Sequence, residues 1–297
     1  MKNYSRRQFL GTAAAGLGAM LLGGYVTFPR YFDPYEIVEL GKTGIKTTLL
    51  SMGTGIRSGT ALTRNMEREQ AVKLIREIYE RGVRFFDTAD SYGTHGYLSE
   101  ALSIYPRSDY VIFTKLTPRR RTNAEVELPS AEEDVMRFLK ELKTDYIDGL
   151  LLHGWGFSGN WNTEHSDLMT SFAKLKERGI IRAHGISSHS LDAVKTAVNE
   201  SWVETILVRI NPFGINMDDK PENVEPVVKQ LHQAGKGVYA MKVFGEGAFA
   251  DDDEKKDKSL SYVLGLGAVD AITIGMDKIS DIVDNENRIR KVSKKKV

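Results

Sequence analysis

Four side chains that can handle protons stand at the ends of short apolar runs of the sequence: Asp87, Tyr92, Lys115 and His153. A tyrosine has an ordinary pKa near 10; a neighbouring lysine cation lowers that pKa, and an aspartate paired with the lysine fixes its position. A neutral histidine beside them can orient or polarise a carbonyl oxygen. Together they form the set that carbonyl reduction needs, in which a proton reaches the forming alkoxide while the hydride comes from elsewhere.

Each of the four residues also has a structural explanation when it is taken alone. Asp87 can cap the segment that follows it, and Lys115 can be a solvated surface lysine. Tyr92 can be a packing aromatic, and His153 can be a hydrogen-bonded core histidine. Their joint occurrence at the ends of three successive apolar runs favours the chemical interpretation.

The elements that must position these residues follow one repeated order of helix, glycine and strand. Apolar residues recur at helical spacing over Glu67–Arg81, Gly82 follows, and the same order returns twice later in the chain. Eight short apolar runs are predicted as strands, and their continuous apolar character is typical of strands buried on both faces of a parallel sheet. They are Leu49–Gly53, Val83–Thr88, Tyr110–Lys115, Ile147–His153, Ala183–Ser187, Thr205–Ile210, Gly237–Lys242 and Ala271–Gly275.

Eight strands alternating with helices predict an α/β protein with a single-domain (β/α)8 TIM barrel, whose chemistry sits at the C-terminal ends of the strands. A doubly wound open sheet is disfavoured, because Gly53-Thr54-Gly55 is not followed by the full dinucleotide-binding spacing. Glu36–Thr48 is predicted to form a hairpin that closes the bottom of the barrel.

The first 33 residues are interpreted as an export signal, with residues 34–297 as the barrel. Ser5-Arg6-Arg7-Gln8-Phe9-Leu10 resembles a twin-arginine signal and precedes an Ala/Gly-rich apolar run that ends near Tyr25. We therefore expect export to the periplasm by the twin-arginine machinery. No convincing cleavage site follows, so an uncleaved signal that anchors the chain in the membrane stays open. The alternative is an amphipathic N-terminal helix of a cytosolic protein.

Composition excludes several classes of function. The chain has no cysteine, which excludes an iron–sulfur cluster held by thiolates, a zinc–thiolate site and a cysteine nucleophile. A formal net charge of +1 argues against a nucleic-acid partner bound by bulk electrostatics. No histidine and carboxylate cluster has metal-ligand spacing, so no metal is predicted and a metal-dependent hydrolase is disfavoured.

The motifs resemble those of the aldo-keto reductase family over most of the chain. They are Leu40–Ile45, Phe86–Gly93, Thr114-Lys115, Asp145–His153 and Ile181–Ser187. The resemblance implies a (β/α)8 barrel that reduces aldehydes and ketones with NADP or NAD held across the barrel mouth. It implies that Tyr92 is the general acid, Lys115 lowers its pKa, Asp87 pairs with Lys115, and His153 orients the carbonyl of a small-molecule substrate.

The cofactor positions implied by the resemblance match less completely. Ser188 stands where the family usually has Asn, Leu207 where it often has Gln, and Met241 where an aromatic commonly stacks on the nicotinamide. Asp281 stands where many members carry Arg for the 2′-phosphate, which puts NADP preference in doubt unless Lys278 compensates. The residues expected to contact the cofactor are Thr54, Ser187, Ser188, Met241, Lys242, Gly245, Gly275, Lys278 and Asn285.

One functional alternative and one structural question stay open at this point. The family resemblance also covers potassium-channel β subunits, so the chain can instead be a nicotinamide-binding, weakly catalytic barrel that acts as a redox-sensing or partner-binding subunit. Trp155, Phe157 and Trp161 follow His153 and either wall an apolar substrate pocket or pack their loop against the barrel rim.

Overall fold

A computed structural model describes residues 30–56, 60–62, 66–118 and 130–294 of the chain. The predicted export segment lies outside the described residues up to position 29, so export and anchoring stay predictions. No helix in the described ranges has the length and apolar character needed to cross a membrane. The barrel and the helices around it fall within one compact unit, Tyr31–Val297.

Eight parallel strands close into a barrel with helices between them, which confirms the predicted single-domain (β/α)8 fold. Side chains are buried along whole strands, as in Ile147–Gly154, because helices cover the outside and side chains fill the inside. In barrel order the strands are β4 (Leu50–Gly53), β7 (Phe85–Asp87), β8 (Val111–Leu116), β9 (Ile147–Gly154), β10 (Ile181–Ser188), β11 (Thr205–Arg209), β12 (Gly237–Met241) and β13 (Ala271–Gly275).

The helix predicted over Glu67–Arg81 begins and ends within one residue of those positions, at Arg68 and Arg81. Gly82, with a φ of 126°, ends this helix (α1, Arg68–Arg81), where its backbone N–H reaches the carbonyls of Ile78 and Tyr79. Ser130 and Glu133 form a capping box that starts the helix Ala131–Leu142 (α3). The helices are α1 (Arg68–Arg81), α2 (His95–Leu102), α3 (Ala131–Leu142), α4 (Trp161–Glu164), α5 (Ser166–Glu177), α6 (Leu191–Asn199), α7 (Pro221–Gln233), α8 (Asp253–Gly265) and α9 (Ile279–Ile289).

The bottom of the barrel is closed by the hairpin predicted from the sequence. Strands β2 (Ile37–Glu39) and β3 (Lys46–Thr48) pair antiparallel, and their connection carries the fully buried Leu40 and Ile45. These two side chains belong to the apolar cluster inside the barrel. The barrel interior is therefore a packed core, and the opposite end is left for chemistry.

Smaller elements complete the described part of the chain. Gly55–Ile56 (β5) pairs antiparallel with Thr60–Ala61 (β6), a pairing that the sequence pattern did not indicate. Two further two-residue strands are β1 (Arg30–Tyr31) and β14 (Ser293–Lys294), and single 3-10 turns cover Asp90–Tyr92, Arg107–Asp109 and Gly245–Gly247.

Candidate active site

A buried ion pair joins the ends of two neighbouring barrel strands. Asp87 ends β7 and Lys115 lies in β8, and the Nζ of Lys115 lies 2.8 Å from each carboxylate oxygen of Asp87. The same Nζ donates to the backbone carbonyl of Thr88 at 2.7 Å. Lys115 is completely buried, so the alternative of a solvated surface lysine is wrong. Burial raises the pKa of Asp87, and the lysine cation opposes that shift.

Tyr92 is brought over this pair by a tight turn directly after β7. The 3-10 turn Asp90–Tyr92 ends at Gly93, whose left-handed φ of 66° suits glycine. A side chain at Gly55 would meet the Tyr92 ring, since a Cβ there lies 2.9 Å from it. Gly55 therefore has to lack a side chain for the ring to occupy this position.

The electrostatic environment of Tyr92 combines burial with a nearby cation. The Nζ of Lys115 lies 5.1 Å from the ring centroid. Burial raises the pKa of Tyr92, and the charge of Lys115 lowers it by less than burial raises it. The residue types alone indicate only the lowering of this pKa by lysine, because burial depends on the folded structure. The phenol stays protonated near neutral pH and is in the form that gives a proton.

His153 stands beside Tyr92 and is held neutral. The two rings lie edge to face, 6.0 Å apart. Burial, followed by the positive charge of Lys115, lowers the pKa of His153 to about 2. The indole N–H of Trp155 donates to its Nε2 at 2.9 Å, and Thr117 Oγ1 lies 3.5 Å from its Nδ1. The four residues predicted to carry proton chemistry therefore meet at one end of the barrel.

A cleft of about 260 Å³ extends from Asp87 and Tyr92 across the mouth of the barrel. It runs past the end of β12 to α9, and both walls carry residues predicted to contact a cofactor. Five of the nine line it: Met241, Lys242, Gly275, Lys278 and Asn285.

The other four predicted cofactor residues lie outside the cleft lining. Thr54 Oγ1 is buried and bonds to the carbonyl of Asp87 and to Thr94 Oγ1, so it supports the strand end that carries Asp87. Ser188 Oγ is engaged with Ser190. Gly245 lies directly before Glu246 and Gly247, which line the cleft.

Two buried hydroxyls, on barrel strands β10 and β13, bear on whether a nicotinamide cofactor fits this end of the barrel. Ser187 is the last of the four predicted cofactor residues that lie outside the cleft lining. Its Oγ and the Oγ1 of Thr273 have no hydrogen-bond partner among the described residues. Ser187 pairs in register with His153 on the neighbouring strand, and Thr273 lines the cleft. A buried hydroxyl without a partner is costly, and a bound amide group would satisfy it. The residues present therefore fit the cofactor that the sequence motifs imply.

Carboxylates dominate the end of the cleft farthest from Tyr92. Asp281 Oδ2 accepts a hydrogen bond from the backbone N–H of Asp277, and burial raises the pKa of Asp281. Lys278 approaches Asp281 at 4.0 Å, but its side chain is 70% exposed. The charged residues that line this end are Asp251, Asp277, Asp281 and Asp284 against Lys256 and Lys278. A 2′-phosphate group bound at this end would lie near these carboxylates, which is electrostatically unfavourable.

Comparison with known proteins identifies the family. The model of the aldo/keto reductase family matches residues 50–273. The chain belongs to this family. It is 27% identical to an uncharacterized oxidoreductase, YqkF, of Bacillus subtilis, with 74% of this chain and 82% of that protein covered. It is also 27% identical to the L-galactose dehydrogenase of Arabidopsis thaliana, with 84% and 86% covered. A solved aldo-keto reductase of Pseudomonas aeruginosa has the same fold, with a TM-score of 0.70, 23% identity, and 89% and 99% covered.

Family membership makes the chain an oxidoreductase of the kind that reduces carbonyls with NADPH or NADH. The curated relatives above are named as oxidoreductases or dehydrogenases, so the alternative of a partner-binding subunit is not favoured. No group of three or more histidine, aspartate or glutamate side chains in the described ranges is placed to hold a metal ion.

The structure separates the three aromatics that follow His153. Phe157 and Trp161 are buried, and the Trp161 indole donates to the carbonyl of Ala193, so both pack the loop. Trp155 is 59% exposed and contacts His153. Tyr239 is a further residue of the site that the motifs did not indicate, and its hydroxyl donates to Asp87 Oδ1 at 3.1 Å. A hydroxyl-bearing residue in the otherwise apolar strand Gly237–Met241 was the available signal.

Proposed function

We propose that this aldo/keto reductase is an exported enzyme that reduces an aldehyde or ketone, with Tyr92 as the proton donor. One observation carries the proposal: Tyr92 opens onto the cleft between the buried Lys115 cation and the neutral His153 ring. A protonated phenol beside a neutral histidine can bind a carbonyl oxygen and transfer a proton to it.

Each of the four residues has its own role in carbonyl reduction. A bound reduced nicotinamide supplies hydride to the carbonyl carbon. The ring of His153 carries no charge near neutral pH, and it orients the carbonyl oxygen. Tyr92 gives its phenolic proton to that oxygen, and the Lys115 cation stabilises the phenolate that remains. Asp87 holds the lysine in place through both of its carboxylate oxygens.

We propose that NADH is preferred over NADPH. In this proposal the Ser187 hydroxyl binds the nicotinamide amide, which is supported by its lack of a hydrogen-bond partner among the described residues, and Asn285, which lines the cleft, binds the adenine end. The carboxylates of Asp277 and Asp281 at that end repel a 2′-phosphate, whereas they can accept hydrogen bonds from a ribose hydroxyl.

The reaction is tested with purified protein, NADH, NADPH and 4-nitrobenzaldehyde as the probe carbonyl. The parent should oxidise NADH only in the presence of the aldehyde. Tyr92→Phe should lower kcat by about 10²–10⁴, because the general acid is removed, while the Kd for NADH stays within about twofold. The matched control is Tyr31→Phe, since Tyr31 is 53% exposed. A Tyr92→Phe variant that turns over at the parent rate contradicts the proposed role.

Export is tested separately with the full chain in a bacterium that has a twin-arginine system. The parent should be recovered from the periplasm or the inner membrane, and a variant with Arg6→Lys and Arg7→Lys should stay in the cytoplasm. Equal distribution of parent and variant contradicts export by this route, whatever the outcome of the activity assay.

A further inference from the structure

Tyr239 reaches the catalytic ion pair from the opposite side of the barrel. It lies in β12, 152 residues after Asp87, and its hydroxyl donates to Asp87 Oδ1 at 3.1 Å. Asp87 Oδ1 therefore receives hydrogen bonds from both Lys115 and Tyr239. Tyr239 is completely buried, so this phenol has exchanged water for the carboxylate.

The ring of Tyr239 is fixed by the core beneath the active site. Its centroid lies 5.3 Å from the ring of Phe85 and 5.6 Å from that of Phe113. These aromatic contacts belong to the ring and would survive removal of the hydroxyl. Tyr239→Phe therefore removes the hydrogen bond to Asp87 while it keeps the packing of the ring.

Lys115 acts on Tyr92 mainly through its charge and, to a smaller extent, through a hydrogen bond. A lysine ammonium has three N–H donors, and the contacts of Nζ are to the two oxygens of Asp87 and the carbonyl of Thr88. The cation lies 5.1 Å from the centroid of the Tyr92 ring. Its effect on the phenol consequently depends on the proton staying on Nζ.

A buried ion pair has a neutral alternative, in which the proton moves from the amine to the carboxylate. Burial favours that neutral form, because both charges have lost their hydration. A phenol that donates to the carboxylate favours the charged form, because hydrogen bonds to an ionised acceptor are the stronger ones. The titratable groups that face Asp87 are Lys115 from β8, Tyr92 from the turn after β7, and Tyr239 and Lys242 from β12 and its end.

We propose that Tyr239 is a positioning residue that keeps the Asp87–Lys115 pair charged and so keeps the lysine cation beside Tyr92. It touches neither substrate nor cofactor in this role and acts through Asp87. The effect of Tyr239 on turnover rests on the proposed function, whereas its effect on Asp87 does not.

The test is the titration of Asp87, followed by carbon-13 NMR of the aspartate carboxyls in cofactor-free protein. Asp87→Asn identifies the resonance. In Tyr239→Phe the midpoint of Asp87 should rise by about one pH unit, because its carboxylate loses a hydrogen bond while the ring stays packed. The matched control is Tyr262→Phe, which removes a phenol donor from the carboxylate of Glu225, at 2.9 Å and away from the site. That variant should leave the midpoint of Asp87 unchanged.

The second measurement is the pH profile of kcat for aldehyde reduction. Reduction needs the protonated phenol, so activity falls as the pH rises through the pKa of Tyr92. A weakened lysine cation raises that pKa, so in Tyr239→Phe the basic limb should move to higher pH. In the reverse reaction, which needs the phenolate, kcat near neutral pH should fall.

Two results would overturn the proposal. The first is a titration midpoint of Asp87 in Tyr239→Phe that equals that of the parent. The second is a Tyr239→Phe variant with a lower melting temperature and an unshifted pH profile of kcat, because that combination indicates a purely structural role. If Tyr239→Phe does not fold, 3-fluorotyrosine is introduced at position 239, where it keeps the hydroxyl and makes it more acidic. The titration midpoint of Asp87 should then fall, because the hydroxyl becomes a stronger hydrogen-bond donor. An unchanged midpoint contradicts the proposed role of Tyr239. A parent that reduces no carbonyl would refute the proposed function, and the Asp87 titration would still decide the role of Tyr239.

Discussion

The indole N–H of Trp155 donates to Nε2 of His153 at 2.9 Å, and the Trp155 ring also lies 4.4 Å from the ring of His189. An indole N–H is a donor only, so Nε2 accepts and the proton of the neutral imidazole is on Nδ1. A carbonyl oxygen that takes a hydrogen bond from Nε2–H must first displace the indole, and the imidazole must change tautomer. Trp155 therefore competes with substrate for His153.

Removing that competitor should strengthen substrate binding. In Trp155→Phe the ring is kept and the N–H is lost, so we expect the KM for 4-nitrobenzaldehyde to fall by about 2–10-fold, the range of one net hydrogen bond. The kcat should change by less than that. Steady-state kinetics with saturating NADH measure both values.

The matched control for this variant is Trp202→Phe. The Trp202 indole donates to the carbonyl of Met169 at the same distance of 2.9 Å, and neither residue lines the cleft. A KM that rises in Trp155→Phe would mean that the indole binds the substrate instead of competing with it.

Removal of the buried lysine charge should damage both stability and turnover. Lys115→Met leaves Asp87 as a buried carboxylate without its cation, and we expect a loss of about 3–5 kcal/mol in the free energy of unfolding. The kcat should fall by about 10²–10⁴, since Tyr92 loses the charge that stabilises its phenolate. Denaturant unfolding and steady-state kinetics measure the two effects.

The double variant Asp87→Asn/Lys115→Met separates the two effects of the lysine. It has no unpaired buried charge, so stability should largely return while activity does not. Recovery of activity together with stability would show that the ion pair has no part in the chemistry.

The carboxylates at the far end of the cleft should set the preference for the cofactor. Asp281→Arg replaces a repelling charge by one that can pair with a phosphate, so the Kd for NADPH should fall by about tenfold or more, equivalent to ~1.4 kcal/mol. The Kd for NADH should change much less. Fluorescence titration of the bound nucleotides gives both constants.

The control for Asp281→Arg is Asp192→Arg on α6, an exposed acid whose replacement makes the same change in net charge. An equal gain in NADPH affinity in both variants would assign the effect to the overall charge of the protein, not to the cleft.

Acid should destabilise the fold through His153. Burial lowers its pKa to about 2 in the folded state, whereas an unfolded histidine has a pKa near 6.5. Between these values the unfolded chain binds a proton that the folded chain does not, so stability is lost as the pH falls below about 6.5. The contribution of His153 should be about 2 kcal/mol between pH 7 and pH 5.

Chemical denaturation of the parent and of His153→Gln at pH 7 and pH 5 measures that contribution. The glutamine variant should lose less stability than the parent on acidification, because it has no group that titrates in this range. His189, whose pKa is lowered to about 4 by burial and by Arg209, should leave part of the pH dependence in place. Equal losses in parent and variant would contradict a depressed pKa for His153.

The amino-acid sequence by itself determined the architecture and the chemical types at the site. Continuous apolar runs and helical periodicity indicate which residues are buried, so the eight strands, the helix over Glu67–Arg81 and the bottom hairpin were predictable. Parallel strands of a barrel end on the same side, so Asp87, Tyr92, Lys115 and His153 were expected to meet. The family motifs pointed to Met241, Lys242 and Asn285, which line the cleft.

Only the tertiary structure decided how these groups act on one another. Closure of the barrel brings Tyr239 into contact with Asp87, 152 residues earlier in the chain. The spacing of apolar residues in the sequence does not indicate this contact. Burial raises the pKa of Tyr92 and lowers that of His153, because desolvation depends on every element packed around a group. Side-chain directions decide the hydrogen bond between Trp155 and His153. They also decide the hydrogen bonds that occupy the hydroxyls of Thr54 and Ser188. Sequence position does not specify those directions until the strands and loops are packed.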